Sequence, residues 1–153
     1  MPFELVLRYS APLTSVETLD EALSEFLRLV GYLKEGELDK GSTAYRLMRD
    51  CFLGNPGRPW TIEELAATLK TTKPTIYRHL NRLKALDLME EITSPSEKAK
   101  GRKGYRLRYG NLARAWDFVE ANAQNSLRRY REGVDHIQKL VEKNGAKVTS
   151  NTR

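Results

Sequence analysis

The chain has 153 residues, of which 40% are hydrophobic and 30% are charged, and its formal net charge is +6. This length suits one compact domain with an extension and is short for two full domains. Its single cysteine excludes an intramolecular disulfide and a cysteine-based zinc cluster. No run approaches the roughly 18 apolar residues of a membrane span, and the first nine residues lack the basic leader of a signal peptide. We therefore expect a cytoplasmic protein with no membrane partner.

The positive charge is concentrated in one stretch of the chain. Residues 1 to 69 contain 7 Lys and Arg against 11 Asp and Glu, whereas residues 70 to 110 contain 11 against 4 and residues 111 to 153 contain 8 against 5. The three segments therefore have net charges of −4, +7 and +3. A local basic excess is typical of a surface that binds a polyanion. Nucleic acid is therefore the leading predicted partner.

Residues 1 to 41 are predicted to form a short strand and a packing helix. Apolar and polar side chains alternate over residues 3 to 9, which is the pattern of a half-buried strand. A helix is predicted to begin with Ser15 as its N-cap and to reach Leu33. Its apolar residues recur at spacings of three and four, which predicts a seam along another long helix. Glycines and charges over residues 34 to 41 indicate a linker.

The stretch from residue 42 to residue 87 is predicted to contain three helices. The first reaches about residue 53, and we expect Cys51 on its apolar face to be a buried structural thiol rather than a redox switch. A capping box of Thr61 and Glu64 opens the second, over residues 62 to 69. Four polar residues form a turn, and Thr72 caps the third helix. Two helices joined by such a tight turn are the pattern of a helix-turn-helix.

The third helix is predicted to have a core face and an outward face. A rotation of 100° per residue puts Ile76, Leu80 and Leu83 on one side and polar or basic residues on the other. Arginine can bridge O6 and N7 of guanine, asparagine can bridge N6 and N7 of adenine, and threonine or tyrosine suits phosphates or the thymine methyl. The candidate DNA-binding residues here are Thr72, Lys73, Thr75, Tyr77, Arg78, Asn81 and Arg82.

A basic hairpin is predicted to follow this helix. Residues 88 to 93 and 104 to 109 have strand patterns, and the loop between them carries four cations and one anion. Cations that neutralise phosphates contribute salt-dependent affinity for DNA. The candidate contacts in the hairpin are Lys100, Arg102 and Lys103. The alternative is a solvated hairpin tip that contacts nothing.

The sequence from Trp60 to Tyr109, about a third of the chain, resembles the winged helix-turn-helix of the superfamily that includes ArsR-like and MarR-like transcription regulators. Residues 72 to 83 are similar to the recognition helix of these proteins, and residues 101 to 107 are similar to the wing and its returning strand. The resemblance implies a dimeric DNA-binding regulator with the recognition helix in the major groove and the wing near the minor groove. ArsR-like metal sensors have a cysteine-containing motif on or near this helix. This chain lacks that motif, so metal sensing is not implied.

Residues 111 to 143 are predicted to form one long helix whose apolar seam is too long for a small domain to cover. Pairing with a second subunit, together with the N-terminal seam, would bury it. Residues 144 to 153 are predicted to be a disordered tail. The candidate dimerisation residues are Val16, Leu19, Leu23, Phe26, Val30, Trp116, Val119, Leu127, Tyr130, Val134 and Ile137.

The predicted fold class is mainly α with a small β wing. A winged helix-turn-helix DNA-binding domain over residues 42 to 110 would lie between N-terminal and C-terminal helices that form a dimer interface. The predicted function is that of a sequence-specific transcriptional regulator that binds double-stranded DNA as a homodimer. Two alternatives are a winged-helix protein-interaction module in a transcription or RNA-processing assembly, and a ligand-gated sensor with a pocket between its terminal helices.

No nucleophile with an adjacent base and no metal-ligand spacing occurs in the sequence. His79 and His136 are far apart, and neither has an acid or cysteine at ligand spacing. We therefore predict no enzyme activity, no metal and no cofactor. The sequence does not identify a small-molecule effector.

Overall fold

A computed structural model describes residues 2 to 93 and 102 to 151, with side chains up to residue 145. The chain forms two compact units, Met1–Val119 and Glu120–Arg153. In chain order the elements are a 3-10 turn at Leu13–Ser15, α1 at Leu19–Leu29, a 3-10 turn at Glu35–Glu37, α2 at Thr43–Arg46, a π-helix at Leu47–Leu53, α3 at Ile62–Leu69, α4 at Lys73–Ala85, β1 at Met89–Thr93, β2 at Lys103–Leu107, a 3-10 turn at Arg108–Gly110 and α5 at Leu112–Asn151.

The strand predicted at residues 3 to 9 does not form. The sheet in the described part of the chain contains β1 and β2 alone, and residues 3 to 9 have no strand partner there. An alternating apolar pattern does not produce a strand unless a neighbouring strand pairs with the backbone N–H and C=O groups of the segment. Phe3 and Leu5 instead pack against the hydrophobic core, and the Glu4 N–H donates to the carbonyl oxygen of Ala85 at the end of α4 (2.8 Å).

Helix α1 begins later than predicted. Its N-cap is Thr18, whose Oγ1 accepts a hydrogen bond from the Glu21 N–H at 3.3 Å. Ser15, the predicted cap, lies in the preceding 3-10 turn, where its hydroxyl donates to the Pro12 carbonyl oxygen (3.0 Å). Val16, which follows, is extended at φ −91° and ψ 123°, so no helix begins there for Ser15 to cap.

The helix predicted from residue 42 to residue 53 changes type within its length. A four-residue α-helix, α2, is capped by Ser42 and passes into the π-helix. The fully buried side chains here include Tyr45, Met48 and Phe52. Cys51 is also fully buried, as predicted, and burial raises the pKa of its thiol to about 11, which makes it unreactive as a nucleophile.

The helix-turn-helix forms as its caps predict. Thr61 Oγ1 accepts from the Glu64 N–H at 3.2 Å, and the Glu64 carboxylate accepts from the Thr61 N–H at 3.3 Å, which completes the capping box of α3. Lys70 then ends α3 in the left-handed region at φ 53°. Thr72 caps α4 by accepting from the Thr75 N–H at 3.4 Å.

The wing is an antiparallel pair of strands joined to the start of α3. Met89 pairs with Leu107 and Thr93 pairs with Lys103 at the two ends of the ladder. Trp60 pairs with β2 through an isolated antiparallel bridge, in which its N–H and carbonyl exchange 2.8 Å hydrogen bonds with Tyr105. This bridge fixes the hairpin beside the helix-turn-helix.

The long helix α5 begins after Asn111, whose Oδ1 accepts from the Arg114 N–H at 3.0 Å. It continues to Asn151, so most of the tail predicted to be disordered from residue 144 is helical. An existing helix can be extended at little cost per added residue. The polar composition of residues 144 to 151 therefore did not predict their conformation. None of the described helices is long and apolar enough to cross a membrane.

These elements confirm the predicted fold class: a mainly helical chain with a two-stranded wing and a long C-terminal helix. The division of the chain into dimerisation and DNA-binding segments remains a prediction.

Candidate nucleic-acid interface

Helix α4 has one buried face and one exposed face. Ile76, Leu80 and Leu83 are fully buried in the core. Arg78 and Asn81 are exposed on the opposite side. This arrangement follows from helical geometry, because residues at i+3 and i+4 share a face. The predicted outward surface is therefore present at these two positions.

The start of α4 presents further polar groups to solvent. Thr72 and Lys73 are exposed, and Tyr77 is 47% exposed. Thr75 is half-buried, and its hydroxyl lies 2.9 Å from that of Thr72. Thr72 Oγ1 is thus already engaged as the helix cap, which leaves Lys73 and Tyr77 as the freer side chains of this turn.

Arg82, predicted to border the DNA, instead turns toward the protein. Its side chain is only 20% exposed. The two terminal nitrogens donate to the two carboxylate oxygens of Glu37 at 2.7 and 2.8 Å, and Nη1 also donates to the Tyr32 carbonyl oxygen. The helical projection placed Arg82 at the flank of the outward face, and a carboxylate 45 residues away in sequence draws it inward.

His79 lies on the buried side of α4, 3% exposed, beside Arg82. Burial lowers the pKa of His79, and the charge of Arg82 lowers it further. His79 is therefore neutral at neutral pH and contributes to the core. No cluster of three His, Cys, Asp or Glu that could hold a metal ion occurs among the described residues.

The wing cations are only partly placed. Lys100 lies outside the described residues. Arg102 is exposed, and Lys103 is 75% exposed with its ammonium 3.8 Å from a carboxylate oxygen of Glu91. Glu91 also pairs with Lys84 at 2.7 Å. Lys103 is therefore available to a phosphate at little cost, since exposed pairs contribute at most about 1 kcal/mol.

An acid in the first turn of α3 lies next to two of the candidate cations. Glu63 Oε1 is 3.5 Å from Lys73 Nζ. A hydrogen bond from its own backbone N–H lowers the pKa of Glu63, and the charges of Lys73 and Arg102 lower it as well. The sequence predicted a capping role for Glu64, the next residue. It did not indicate that Glu63 would face the basic surface.

The candidate dimerisation residues of the first unit are mostly covered by the chain itself. Leu23, Val30 and Val119 are buried in the core. Their side chains are therefore not on the surface that a partner subunit would contact. The partly exposed members are Val16, Phe26 and Trp116, and Leu19 is 60% exposed. The Phe26 and Trp116 rings meet edge to face at 5.4 Å.

Phe26 and Trp116 also line a shallow apolar cavity of about 290 Å³ together with Leu112 and Ala113. It lies between α1 and the first turns of α5, inside the first unit. Aromatic and aliphatic walls of this kind suit an apolar ligand.

The candidate dimerisation residues of the second unit are exposed. Leu127 is 55% exposed, Tyr130 68%, Val134 56% and Ile137 60%. They recur at spacings of three and four along α5, and Val141 continues the series at 56% exposure. A single chain therefore presents an apolar helical stripe to solvent.

Comparison with known proteins supports the helix-turn-helix. Residues 42 to 92 match the family model described as a helix-turn-helix domain, a range that contains α2, α3, α4 and most of β1. Because β1 and β2 then form an antiparallel hairpin, this part of the chain is a winged helix-turn-helix, as the sequence resemblance predicted. None of the curated proteins matches the chain.

Similarity to solved structures is distant. A mutant of S. aureus MepR bound to an oligodeoxyribonucleotide is 15% identical, with 81% of this chain and 88% of that chain covered and a TM-score of 0.36. S. aureus MepR bound to ethidium bromide is 17% identical, with 88% and 89% covered and a TM-score of 0.34.

Proposed function

We propose that the protein is a transcriptional regulator that binds double-stranded DNA sequence-specifically as a homodimer. The observation that carries the proposal is the exposed face of α4 within a helix-turn-helix. That face offers Arg78 and Asn81, the two side-chain types that pair bidentately with guanine and adenine in the major groove. Their spacing of three residues brings them onto adjacent turns of one helix.

The groups around this face suit the DNA backbone. Lys73 and Tyr77 lie at the N-terminal end of α4, exposed, where phosphate contacts commonly set the register of a recognition helix. Arg102 and Lys103 lie at the wing and are exposed. The positive N-terminus of α4 itself adds to the attraction for a phosphate. Arg82 has no part in this contact set, because it is engaged with Glu37.

The exposed stripe of α5 supports pairing with a second copy. Leu127, Tyr130, Val134, Ile137 and Val141 follow the alternating spacing of a coiled-coil seam. An exposed apolar stripe of this regularity marks an interaction surface in a soluble protein. Two copies joined along it would present two copies of α4, as an inverted-repeat operator requires.

A ligand-responsive version of this function is favoured by one observation. The apolar cavity beside Phe26 and Trp116 adjoins α1 and α5 within the first unit. A small apolar molecule bound there would raise the thermal unfolding midpoint by an amount that grows with the logarithm of its concentration above Kd. A thermal-shift screen of apolar compounds, repeated on Trp116→Ala, tests this; a shift that persists in the variant would place the ligand elsewhere.

The experiment that tests the main proposal is selection of duplexes from a random pool by the purified chain. We expect an enriched inverted repeat whose half-sites are separated by about one helical turn, roughly 10 base pairs. Failure to enrich any duplex would contradict DNA binding and favour the alternative in which the basic face binds an acidic protein. Enrichment of an isolated half-site would contradict the homodimer.

A further inference from the structure

A partly buried polar cluster lies at the C-terminal half of α4 and takes no part in the proposed DNA contacts. Its centre is the bidentate pair of Arg82 and Glu37, whose side chains are 20% and 22% exposed. Arg82 also donates to the Tyr32 carbonyl oxygen. We call this set of Arg82, Glu37 and the Tyr32 carbonyl the Arg82 clamp. It joins α4 to the segment between α1 and α2.

The acidic side of the clamp is itself held in place. The Lys34 N–H donates to Glu37 Oε1 at 2.9 Å, and the Ser42 hydroxyl donates to the Glu37 carbonyl oxygen at 2.7 Å. The Tyr32 hydroxyl donates to the carbonyl oxygen of Ala44 in α2. The acidic segment is therefore hydrogen-bonded to α2 and its cap, and Arg82 pairs with a carboxylate that also accepts from the Lys34 N–H.

A second contact holds the end of α4. The Glu4 N–H donates to the Ala85 carbonyl oxygen. The same N-terminal segment lies against Gly31, which has φ +91° and no room for a side chain, since a Cβ there would come within 2.9 Å of Val6. The C-terminal half of α4 is thus held at two positions, at Arg82 and at the Ala85 carbonyl.

These contacts restrain the rotation of α4 about its own axis. Side-chain tips lie about 6 Å from a helix axis, so a rotation of about 20° displaces them by about 2 Å. The useful range of an N–H···O hydrogen bond is only about 0.5 Å wide. A rotation of this size would break bidentate contacts with a base while leaving flexible lysines able to reach phosphates.

We propose that Arg82 and Glu37 are positioning residues that fix the orientation of α4 so that Arg78 and Asn81 meet base edges. This inference rests on the proposed DNA-binding function. It assigns to Arg82 a role in base preference without contact with DNA, and it assigns to Glu37, an acid outside the helix-turn-helix helices, a role in the same preference.

Direct contact and positioning predict opposite effects for one substitution. If Arg82 contacted DNA, Glu37→Gln would release a cation and raise affinity for every duplex. If Arg82 positions α4, Glu37→Gln weakens binding to the selected duplex and leaves binding to a scrambled duplex of equal composition nearly unchanged. Under positioning, Arg82→Met lowers the preference for the selected duplex equally, and the double variant lowers it no further than either single variant, because the two residues act as one unit.

The test measures affinity for both duplexes by fluorescence anisotropy, using the full chain and the duplex enriched by the unmodified protein. The matched control is Glu25→Gln, which removes the carboxylate of another bidentate pair, that of Glu25 and Arg28, and changes the net charge equally. Measurements are made where far-UV circular dichroism shows each variant to be folded. Amide hydrogen exchange of α4 gives a readout that does not depend on DNA.

We expect Glu37→Gln to lower the ratio of selected to scrambled affinity about tenfold, with faster exchange in α4, while Glu25→Gln changes neither by more than about twofold. Unequal or additive losses of this ratio for the two clamp variants, a gain in affinity of Glu37→Gln for the selected duplex, or equality with Glu25→Gln would overturn the inference while leaving the proposed function intact. Absence of binding by the unmodified chain would overturn both.

Discussion

The ion pair between Arg82 and Glu37 predicts a specific acid sensitivity of folding. Hydrogen bonds from Arg82 lower the pKa of Glu37 from 4.5 to about 2. A carboxyl group whose pKa is lower in the folded state stabilises the protein above its unfolded pKa and loses this contribution as the pH falls through the folded value. The contribution of Glu37 is therefore complete above about pH 4.5 and is lost toward about pH 2.

The magnitude follows from these two pKa values. Their difference corresponds to at most about 3 kcal/mol of unfolding free energy. Both side chains keep about a fifth of their surface exposed, and solvent screening reduces the pair's contribution. We therefore expect Glu37→Gln to lower the free energy of unfolding by about 1 to 2 kcal/mol at neutral pH.

Urea denaturation followed by circular dichroism, at about pH 7, 5, 4 and 3, measures this difference. The difference in the free energy of unfolding between the unmodified protein and Glu37→Gln should be constant down to about pH 5 and become smaller below about pH 4.5. Glu25→Gln is the control, because its more exposed pair should contribute less than about 0.5 kcal/mol. A gap that does not change with pH, or an equal loss in the control, would refute the assignment of the stabilisation to the Arg82 clamp.

Three further predictions concern the DNA contacts of α4 and the wing, and the apolar stripe of α5. Arg78→Ala should cost about 1 to 3 kcal/mol of affinity for the selected duplex and relax base preference; equal losses on selected and scrambled duplexes in a gel-shift titration would exclude base reading. Arg102→Ala should weaken binding to all duplexes alike and reduce the salt slope by about 0.9, so a sequence-dependent loss in anisotropy would contradict a phosphate role. Ile137→Asp should shift the chain toward monomer in sedimentation equilibrium, whereas Asp135→Asn should not; an unchanged mass for Ile137→Asp would exclude this stripe as the dimer seam.

Local signals in the sequence predicted the helix-turn-helix accurately. The capping box of Thr61 and Glu64 and the cap at Thr72 depend on residues within three positions of each other, so their spacing alone determines the hydrogen bonds. The core face of α4 follows from helical periodicity in the same way. These features needed no knowledge of distant parts of the chain.

The errors occurred where a distant partner decides the outcome. Arg82 has the same local pattern as a surface arginine, and only Glu37 distinguishes it. Residues 3 to 9 have the alternation of a strand but no strand to pair with in the described structure. Leu23 and Val30 fit a seam for a partner helix, yet the chain's own core covers them.

The central claim is that the exposed face of α4 contacts DNA and distinguishes its base sequence. The decisive measurement is the affinity of the full chain for the selected duplex between about 50 and about 200 mM salt, compared with Arg78→Ala. We predict that log K falls linearly with log salt for both proteins with similar slopes, and that only the unmodified protein prefers the selected duplex. An affinity independent of salt, or a sequence preference retained in Arg78→Ala, would contradict the account.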